Sequence, residues 1–427
     1  AVGSGVVGSG VSNNDPKPQV WDFAEIGDRM YVAGTFTGVR QSLFAATPVA
    51  PQAYLAAFDR DSGAWIPTFS PSLNASVYAL EVGPDGNLLV GGEFTTVNGQ
   101  SRTGLVALDP VTGATVPGFV AAVARIGNDL GTPMVRELLL DGTDLYVVGT
   151  FNQYVNGGAA NFVYQAIRVR ATTGLLDPVW LPRPTGSGVW DVVADKARGR
   201  VHLAGYFTSV DGQPGTANLV TVSESTGAVV SGLSAFVNND ANQTWTRALA
   251  LVNDRLYVGG AEHILQVLDA STRDRLGYST TGVGCSNFSP STCPGPIYVG
   301  GGDIQVVEAA GNAVLAGCHC FLPRPPYRPA YDDATHYSSF SNEFAGLRNV
   351  IAYDPVMSAP LSWVPGLREN TWGAWAIHVD RRGCVYVGGD YERTDAGLWV
   401  GGFGRFCNPV ASPVGLAATS ASNAANL

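Results

Sequence analysis

Short apolar runs that end in glycine recur along this chain at nearly constant intervals. The clearest run covers residues 88–92 and is followed by Phe94 and by an Asn98-Gly99 pair. Such a run predicts a buried strand, and Asn-Gly predicts a tight hairpin turn. The aligned glycines, separated by 58, 57, 56, 55, 57 and 72 residues, are Gly34, Gly92, Gly149, Gly205, Gly260, Gly317 and Gly389. So regular a period indicates a repeat architecture.

Each period holds four strand candidates separated by turn residues. In the second copy these are residues 77–82, 88–94, 105–109 and 114–119. Four antiparallel strands in each of seven units predict an all-β fold, a seven-bladed β-propeller with four-stranded blades. A solenoid is the alternative, but a solenoid needs capping repeats, and the sequence shows none.

The two ends of the repeat region predict how the ring closes. The last unit has three strand candidates, at residues 375–379, 384–388 and 402–406, and no fourth. Spare residues 2–12 precede the first unit. We therefore expect this N-terminal segment to form the missing outer strand of the last blade and to cover its open edge. The expected propeller domain spans residues 1–408.

Composition narrows the function classes. The chain has 53 glycines and 26 prolines, and only 14% of its residues are charged, which suits a protein with many turns. The net charge of −10 argues against a nucleic acid or an anionic membrane as the main partner. No apolar run reaches membrane-spanning length. The start, Ala1-Val2-Gly3-Ser4, is compatible with a mature secreted chain and equally with an arbitrary boundary.

The cysteines also favour a secreted or cell-surface location. Their number is six, and an even number fits an oxidising compartment. Cys384 opens the second strand of the last unit and Cys407 follows its third. Antiparallel pairing brings those two ends together, so we predict a disulfide between them.

The sequence Cys318-His319-Cys320 is the most suggestive local motif. Because a direct bond between its two cysteines would close a strained small ring, we expect cross-links from this pair to Cys285 and Cys293, with the partners unassigned. A zinc site that also uses His336 and Asp332 is the alternative. That alternative is weaker because His319 falls at the repeat position held by Phe36, Phe94, Phe151 and Phe207. No metal or cofactor is predicted.

The elements "LYVGGxFTxVNG" and "LxALDPxTG", at residues 88–99 and 105–113, resemble the propeller repeats of secreted and surface bacterial proteins of the delta-60-like class. The resemblance covers about residues 20–407 and implies a secreted propeller that is often joined to adhesive modules. It supplies no catalytic motif. Residues 413–422 resemble the opening strand of fibronectin type III domains, so we expect residues 409–427 to be a linker or the start of such a module within a larger surface protein.

By analogy with other propellers, ligands are expected over the channel mouth, where the first strand of each blade begins. Aromatic planes interleaved with carboxylates and arginines suit sugar or peptide recognition. The alternative is that the aromatic residues pack between blades and the charges pair locally. The candidate ligand-binding residues on these strands are Trp21, Asp22, Tyr78, Arg136, Glu137, Trp190, Asp191, Arg247, Gln305 and Trp375.

Long insertions on the same face supply further candidates. The longest spans residues 323–348 and offers contact area and polar groups. Long loops on a rigid ring are where binding functions are commonly found. Its candidate residues are Tyr327, Tyr331 and Tyr337, with Arg324, Arg328 and Asp333.

We therefore predict a secreted or surface binding and structural module that recognises carbohydrate or protein at this face. The rival is an extracellular polysaccharide-acting enzyme with Asp22, Glu137 or Asp191 as acid and base. A purely structural surface or filament component is the third alternative. No catalytic motif is present, so the sequence favours the non-enzymatic interpretations.

Overall fold

The computed structural model describes most of the repeat region. The described residues are 4–8, 18–41, 49–127, 131–230, 245–260, 264–272, 297–300, 303–311, 313–318, 322–323, 349–354, 359–361, 363, 365–368, 372–394 and 399–407. The whole of the predicted C-terminal linker, 409–427, lies outside them. The domain boundary at residue 408 therefore stays a prediction.

The described chain is all-β apart from one 3₁₀ turn, Lys196–Arg198. The strands of its first part are β1 (Gly5–Val7), β2 (Gln19–Ile26), β3 (Arg29–Thr35), β4 (Gly38–Arg40), β5 (Val49–Ala50), β6 (Leu55–Asp59), β7 (Val77–Val82), β8 (Leu88–Gly92), β9 (Thr96–Val97), β10 (Gln100–Ser101) and β11 (Leu105–Leu108). The middle part contains β12 (Ala121–Ala124), β13 (Met134–Asp141), β14 (Asp144–Thr150), β15 (Gln153–Asn156), β16 (Ala159–Phe162), β17 (Ala166–Arg170), β18 (Pro184–Asp195), β19 (Arg200–Val210), β20 (Leu219–Ser223), β21 (Thr246–Val252), β22 (Arg255–Gly260) and β23 (Ile264–Asp269). The last part contains β24 (Ile297–Gly300), β25 (Ile304–Ala310), β26 (Ala313–Cys318), β27 (Leu322–Pro323), β28 (Val350–Asp354), β29 (Ala359–Leu361), β30 (Leu367–Arg368), β31 (Ala374–Val379), β32 (Val385–Thr394) and β33 (Trp399–Phe406).

Consecutive strands pair antiparallel into the repeated sheets. The repeated cores are β2-β3-β6, β7-β8-β11, β13-β14-β17, β18-β19-β20, β21-β22-β23, β25-β26-β28 and β31-β32-β33. The first strand of each core packs against the first strand of the next, and β31 packs against β2. We call these first strands the inner strands. Because the last contacts the first, they surround a central channel, as in a β-propeller.

The predicted fourth strand is the main correction to the repeat. Most of the repeated sheets are three-stranded, and residues 114–119 contribute only a single bridge from Thr115 to Leu108. Trp65 and Leu176 make the equivalent single bridges in their own units. A proline follows two residues after each of these three positions. Proline has no N–H to continue a ladder, which accounts for the early end of these three pairings. Val229 makes the same single bridge to Val222 without a proline two residues later.

The N-terminal segment also differs from its prediction. β1 pairs antiparallel with β4, a short strand that follows β3, and β33 is paired with β32 alone among the described strands. β1 nevertheless packs on the last sheet, since Gly5 lies against Gly401 and Val6 against Gly402. Both of those glycines have positive φ, and the β32–β33 ladder shifts register nearby. An edge interrupted in this way does not offer a regular ladder to a further strand.

Apolar clusters fill the space between neighbouring sheets. One cluster joins the first and second sheets and contains Tyr31, Leu55, Val90 and Phe94. All four phenylalanines of the repeat motif, Phe36, Phe94, Phe151 and Phe207, are fully buried, which confirms their assignment to the core. These clusters hold the inner strands at fixed positions around the channel.

The predicted Cys384–Cys407 disulfide is confirmed, with an S–S distance of 2.04 Å. Cys318 is also disulfide-bonded. A sulfur in a disulfide is not available as a thiolate ligand, so the zinc alternative at Cys318 is wrong. Cys285, Cys293 and Cys320 lie outside the described residues, and the predicted pairing of these cysteines is not determined.

The register of the sixth unit corrects the repeat alignment by one residue. Gly34 faces Val20 and Gly92 faces Val77 on their inner strands. In the sixth unit the residue at this register is Cys318, which faces Ile304, and Gly317 is one place earlier. A buried cysteine therefore replaces the glycine here. The repeat position of Phe36, two residues after the glycine, then falls on Cys320, so its assignment to His319 is wrong.

Candidate functional site

Every inner strand contains a β-bulge, which lies near the start of the strand except in β18, where it lies in the middle. The pairing with the second strand skips one residue at each bulge, so that this residue has no partner across the ladder. A bulge re-aims a side chain and bends the strand locally. The skipped residues are Trp21, Tyr78, Arg136, Trp190, Arg247, Gln305 and Trp375.

The repeat glycines are explained by the same bulge. A Cβ built on Gly92 would collide with the carbonyl oxygen of Ser76, and one on Gly149 would collide with that of Met134. Gly34 and Gly389 meet the corresponding carbonyl oxygens of Gln19 and Gly373. Glycine is needed where another backbone approaches this closely. The glycine recurs in the sequence because the bulge requires a residue without a Cβ at this position.

The seven skipped residues line one chamber of about 330 Å³ in the central channel. Asp22, Glu137 and Asp191 line it as well. All ten candidates that the sequence placed on the inner strands are therefore brought together, whereas Tyr327 and Tyr331 of the long insertion lie outside the described residues. Glu308 also lines the chamber and was not predicted; its place on an inner strand, three residues after Gln305, is the signal that identifies it.

The aromatic side chains at the mouth contact one another. The ring centroids of Trp21 and Trp375 lie 4.4 Å apart with planes tilted by 45°, and those of Trp21 and Tyr78 lie 5.3 Å apart. Trp190 packs edge-on against Trp245 at 5.2 Å. Trp21, Tyr78, Trp190 and Trp375 are half-buried and line the chamber.

Two arginines lie among these rings. The guanidinium carbon of Arg247 is 4.3 Å from the centroid of Trp375 and 5.4 Å from that of Trp190. The guanidinium carbon of Arg136 is 4.8 Å from the centroid of Tyr78. Both groups thus make cation–π contacts. Desolvation lowers the pKa of Arg136 and lowers that of Arg247 to about 9, so Arg247 remains cationic at neutral pH.

The carboxylates below them are bound to the backbone. Asp22 accepts hydrogen bonds from the N–H of Phe23 at 2.7 Å and of Leu80, on the next inner strand, at 2.6 Å. Asp191 accepts hydrogen bonds in the same way from Val192 at 2.6 Å and Leu249 at 2.5 Å. Asp22 and Asp191 are therefore paired locally, as the alternative interpretation expected, but their partners are backbone N–H groups.

Burial in the channel raises the carboxyl pKa values. Desolvation raises the pKa of Asp22 to about 8, that of Asp191 to about 7 and that of Glu308 to about 8. The pKa of Glu137 is raised well above its ordinary value, first by desolvation and then by the charges of Asp22 and Asp191. Around neutral pH the chamber therefore holds a mixture of neutral and ionised carboxyl groups.

Three polar atoms at the mouth are buried without a hydrogen-bond partner within the described part of the chain. They are Gln305 Oε1, Trp375 Nε1 and Arg136 Nε. Gln305 is only 6% exposed. Buried polar atoms are normally hydrogen-bonded, so these atoms are candidate contacts for a ligand or ordered water.

The described residues contain no group of three His, Cys, Asp or Glu side chains arranged to hold a metal ion. Nor does any helix within the described ranges have the length and apolarity needed to cross a membrane.

Comparisons with known proteins support the propeller fold. The model of a β-propeller domain of unknown function, DUF5122, matches residues 83–113, which include the clearest repeat. No significant match was found among curated proteins. One similar solved structure is the extracellular domain of the one-component system BT4673 from B. thetaiotaomicron, at 13% identity and a TM-score of 0.50, covering 95% of this chain. This chain spans only 40% of that domain.

A second similar structure is that of the RRP9 WD40 repeats, at 11% identity and a TM-score of 0.51, with 92% of this chain and 96% of that chain covered. At such low identities these likenesses show the fold alone. Together with the family match, they show that the chain is an all-β propeller repeat protein.

Proposed function

We propose that this chain is a secreted or cell-surface ligand-binding module, a seven-bladed propeller that recognises carbohydrate or protein at the mouth of its channel. The observation that carries the proposal is the ring of bulge residues. Each inner strand contributes one side chain to a single chamber, and three of the seven are tryptophans.

The chamber's size and lining fit a small or partly inserted ligand. Its volume of about 330 Å³ is at the lower end of the usual range for ligand pockets. Flat indole faces stack on sugar rings or on planar peptide groups, while polar groups nearby fix the orientation. The unpartnered polar atoms of Gln305 and Trp375 supply an acceptor and a donor for this purpose.

The acid–base enzyme alternative is less well supported. An acid or base must present an oxygen to the substrate. Both carboxylate oxygens of Asp22 and of Asp191 accept backbone hydrogen bonds, and the third predicted acid–base residue, Glu137, accepts one from the N–H of Leu138. Their raised pKa values then follow from burial in the channel and do not require a catalytic role.

A glycan and peptide array probed with the full chain tests the proposal. We expect binding that is lost in Trp375→Ala and retained in Trp372→Ala, since Trp372 is an exposed neighbour that does not line the chamber. Far-UV circular dichroism and a melting curve check that both variants fold. Equal binding by the two folded variants, or no binding of any glycan or peptide by the wild type, would contradict the proposed site.

A further inference from the structure

The two arginines of the chamber have no acidic partner of their own. Within the described ranges, neither Arg136 nor Arg247 forms an ion pair or a side-chain hydrogen bond, and aromatic faces are their close contacts. By contrast, Arg168 in β17 and Arg198 in the 3₁₀ turn pair with aspartates at 2.6 and 2.8 Å. Within the described residues, the two chamber guanidinium groups are therefore buried without a carboxylate in contact.

The acidic residues near Arg136 and Arg247 do not form ion pairs with them within the described ranges. Asp22 and Asp191 are committed to backbone N–H groups, as described above. Desolvation and the charge of Arg136 lower the pKa of Arg247 to about 9 although Asp303 and Tyr78 oppose the shift. Desolvation also lowers the pKa of Arg136 although Tyr78 and Glu93 oppose it. A buried, unpaired charge is costly, so an anion bound between these two arginines would recover an interaction that the free protein lacks.

The atoms around the two arginines indicate which other groups an anionic ligand would carry. Guanidinium groups match a planar carboxylate, to which they donate two parallel hydrogen bonds. Gln305 Oε1 is a buried acceptor without a partner and needs an O–H or N–H donor from the ligand. The indole of Trp375, next to Arg247, offers a face for a ring and an unpartnered N–H. Carboxylate, hydroxyl donors and a ring with an apolar C–H face that can stack on an indole are combined in one sugar unit when that sugar is a uronic acid.

We infer that the chamber binds an acidic saccharide through a uronate residue, with its carboxylate on Arg136 and Arg247 and its ring on the Trp375 face. This inference rests on the proposed binding function and narrows its ligand class. A run of acidic amino acids would also bring carboxylates, but Asp and Glu side chains have no hydroxylated ring to stack on tryptophan and to donate to Gln305.

Calorimetric titration of the full chain with three probes tests the inference: tetragalacturonate, its methyl ester and a neutral galactose tetramer. The ester removes the ligand's charge without altering the protein. We expect tetragalacturonate to bind at least about tenfold more tightly than the other two, since hydrogen bonds to charged groups are worth that much or more. Binding should also weaken with added salt.

Arg247→Gln and Arg136→Gln should each lower the affinity for tetragalacturonate by about tenfold or more. Arg170→Gln is the matched control, because Arg170 is half-exposed, pairs with Asp144 and lies outside the chamber. We expect it to bind like the wild type. If an arginine variant fails to fold, the ester still tests the same charge from the ligand's side.

Equal binding of the neutral tetramer, or preferential binding of tetraglutamate used as an acidic peptide, would overturn the uronate inference and leave the binding function standing. If no saccharide binds and the array detects no peptide either, both proposals fail.

Discussion

Asp22 and Leu80 join two inner strands that are 58 residues apart in sequence, because the carboxylate of Asp22 accepts a hydrogen bond of 2.6 Å from the N–H of Leu80. Glu81 binds Leu140 on the following strand in the same way, at 2.9 Å. Asp191 repeats the link to Leu249. In each link a carboxylate oxygen accepts a hydrogen bond from a backbone N–H of the next inner strand. These carboxylates therefore help to fix the spacing of the inner strands around the chamber.

Removing one such link should destabilise the fold. Asp191→Ala leaves the N–H groups of Val192 and Leu249 without their acceptor, and we expect the free energy of unfolding to fall by about 2–4 kcal/mol. Glu308→Gln is the control, since within the described residues the Glu308 carboxyl makes no hydrogen bond and its pKa is raised by burial. Denaturant unfolding at pH 8 should show Glu308→Gln to be as stable as the wild type or more so. A similar loss in both variants would contradict the role of the links.

Stability should depend on pH in an unusual direction. The raised pKa values of Asp22, Asp191 and Glu308 mean that the folded state binds more protons than the unfolded state between about pH 4 and pH 8. Their contribution is complete below pH 4 and is lost as the pH rises through the folded pKa values. The free energy of unfolding should therefore fall from about pH 6.5 to pH 8. Below about pH 6.5 the buried His202 opposes the fall, because its folded pKa is lowered to about 4 and the unfolded state binds its proton more readily.

Acids at the surface turns determine how far the pH can fall before stability is lost again. Hydrogen bonds from Ser62 and Thr112 lower the pKa values of Asp59 and Asp109, so their contribution is lost as the pH falls through those lowered values. Denaturant titrations at several pH values measure the effects of the channel carboxyls and of the surface acids. In Glu308→Gln the free energy of unfolding should change less steeply with pH, because one channel carboxyl is removed. Stability that rises steadily from about pH 6.5 to pH 8 would show that the channel carboxyls are not buried as described.

The bulge geometry makes a separate prediction about glycine. Gly149→Ala would place a methyl group against the carbonyl oxygen of Met134, whereas Gly118→Ala adds its methyl group in open space. We expect Gly149→Ala to lower the free energy of unfolding by about 1–3 kcal/mol and Gly118→Ala to change it little. Thermal or urea unfolding of the two variants gives the comparison, and equal stability would mean that the backbone can move away from the added methyl group.

Much of this arrangement can be predicted from the sequence. The features that cannot be predicted depend on contacts between strands. The glycine period and the Asn98-Gly99 turn identify the strands because both are local backbone requirements, and the turn has the expected positive φ at both residues. The candidate residues at the strand starts were found, but the bulge that turns them into the chamber depends on pairing between strands. The N-terminal strand was misassigned because its choice between β4 and β33 depends on the edge geometry at Gly401 and Gly402.

The disulfide between Cys384 and Cys407 gives a last prediction, about the end of the ring. It links the start of β32 to the end of β33 and closes a loop with a sequence separation of 23 residues. In the chain-entropy model a loop of this length stabilises the folded state by about 3 kcal/mol. Cys384→Ala and Cys407→Ala should each cost most of that amount, and the double variant should cost little more, because either substitution alone already breaks the bond. Urea unfolding of the two single variants and the double variant measures this non-additivity. Additive losses would mean that the two side chains contribute mainly through separate packing, with the covalent link between them adding little.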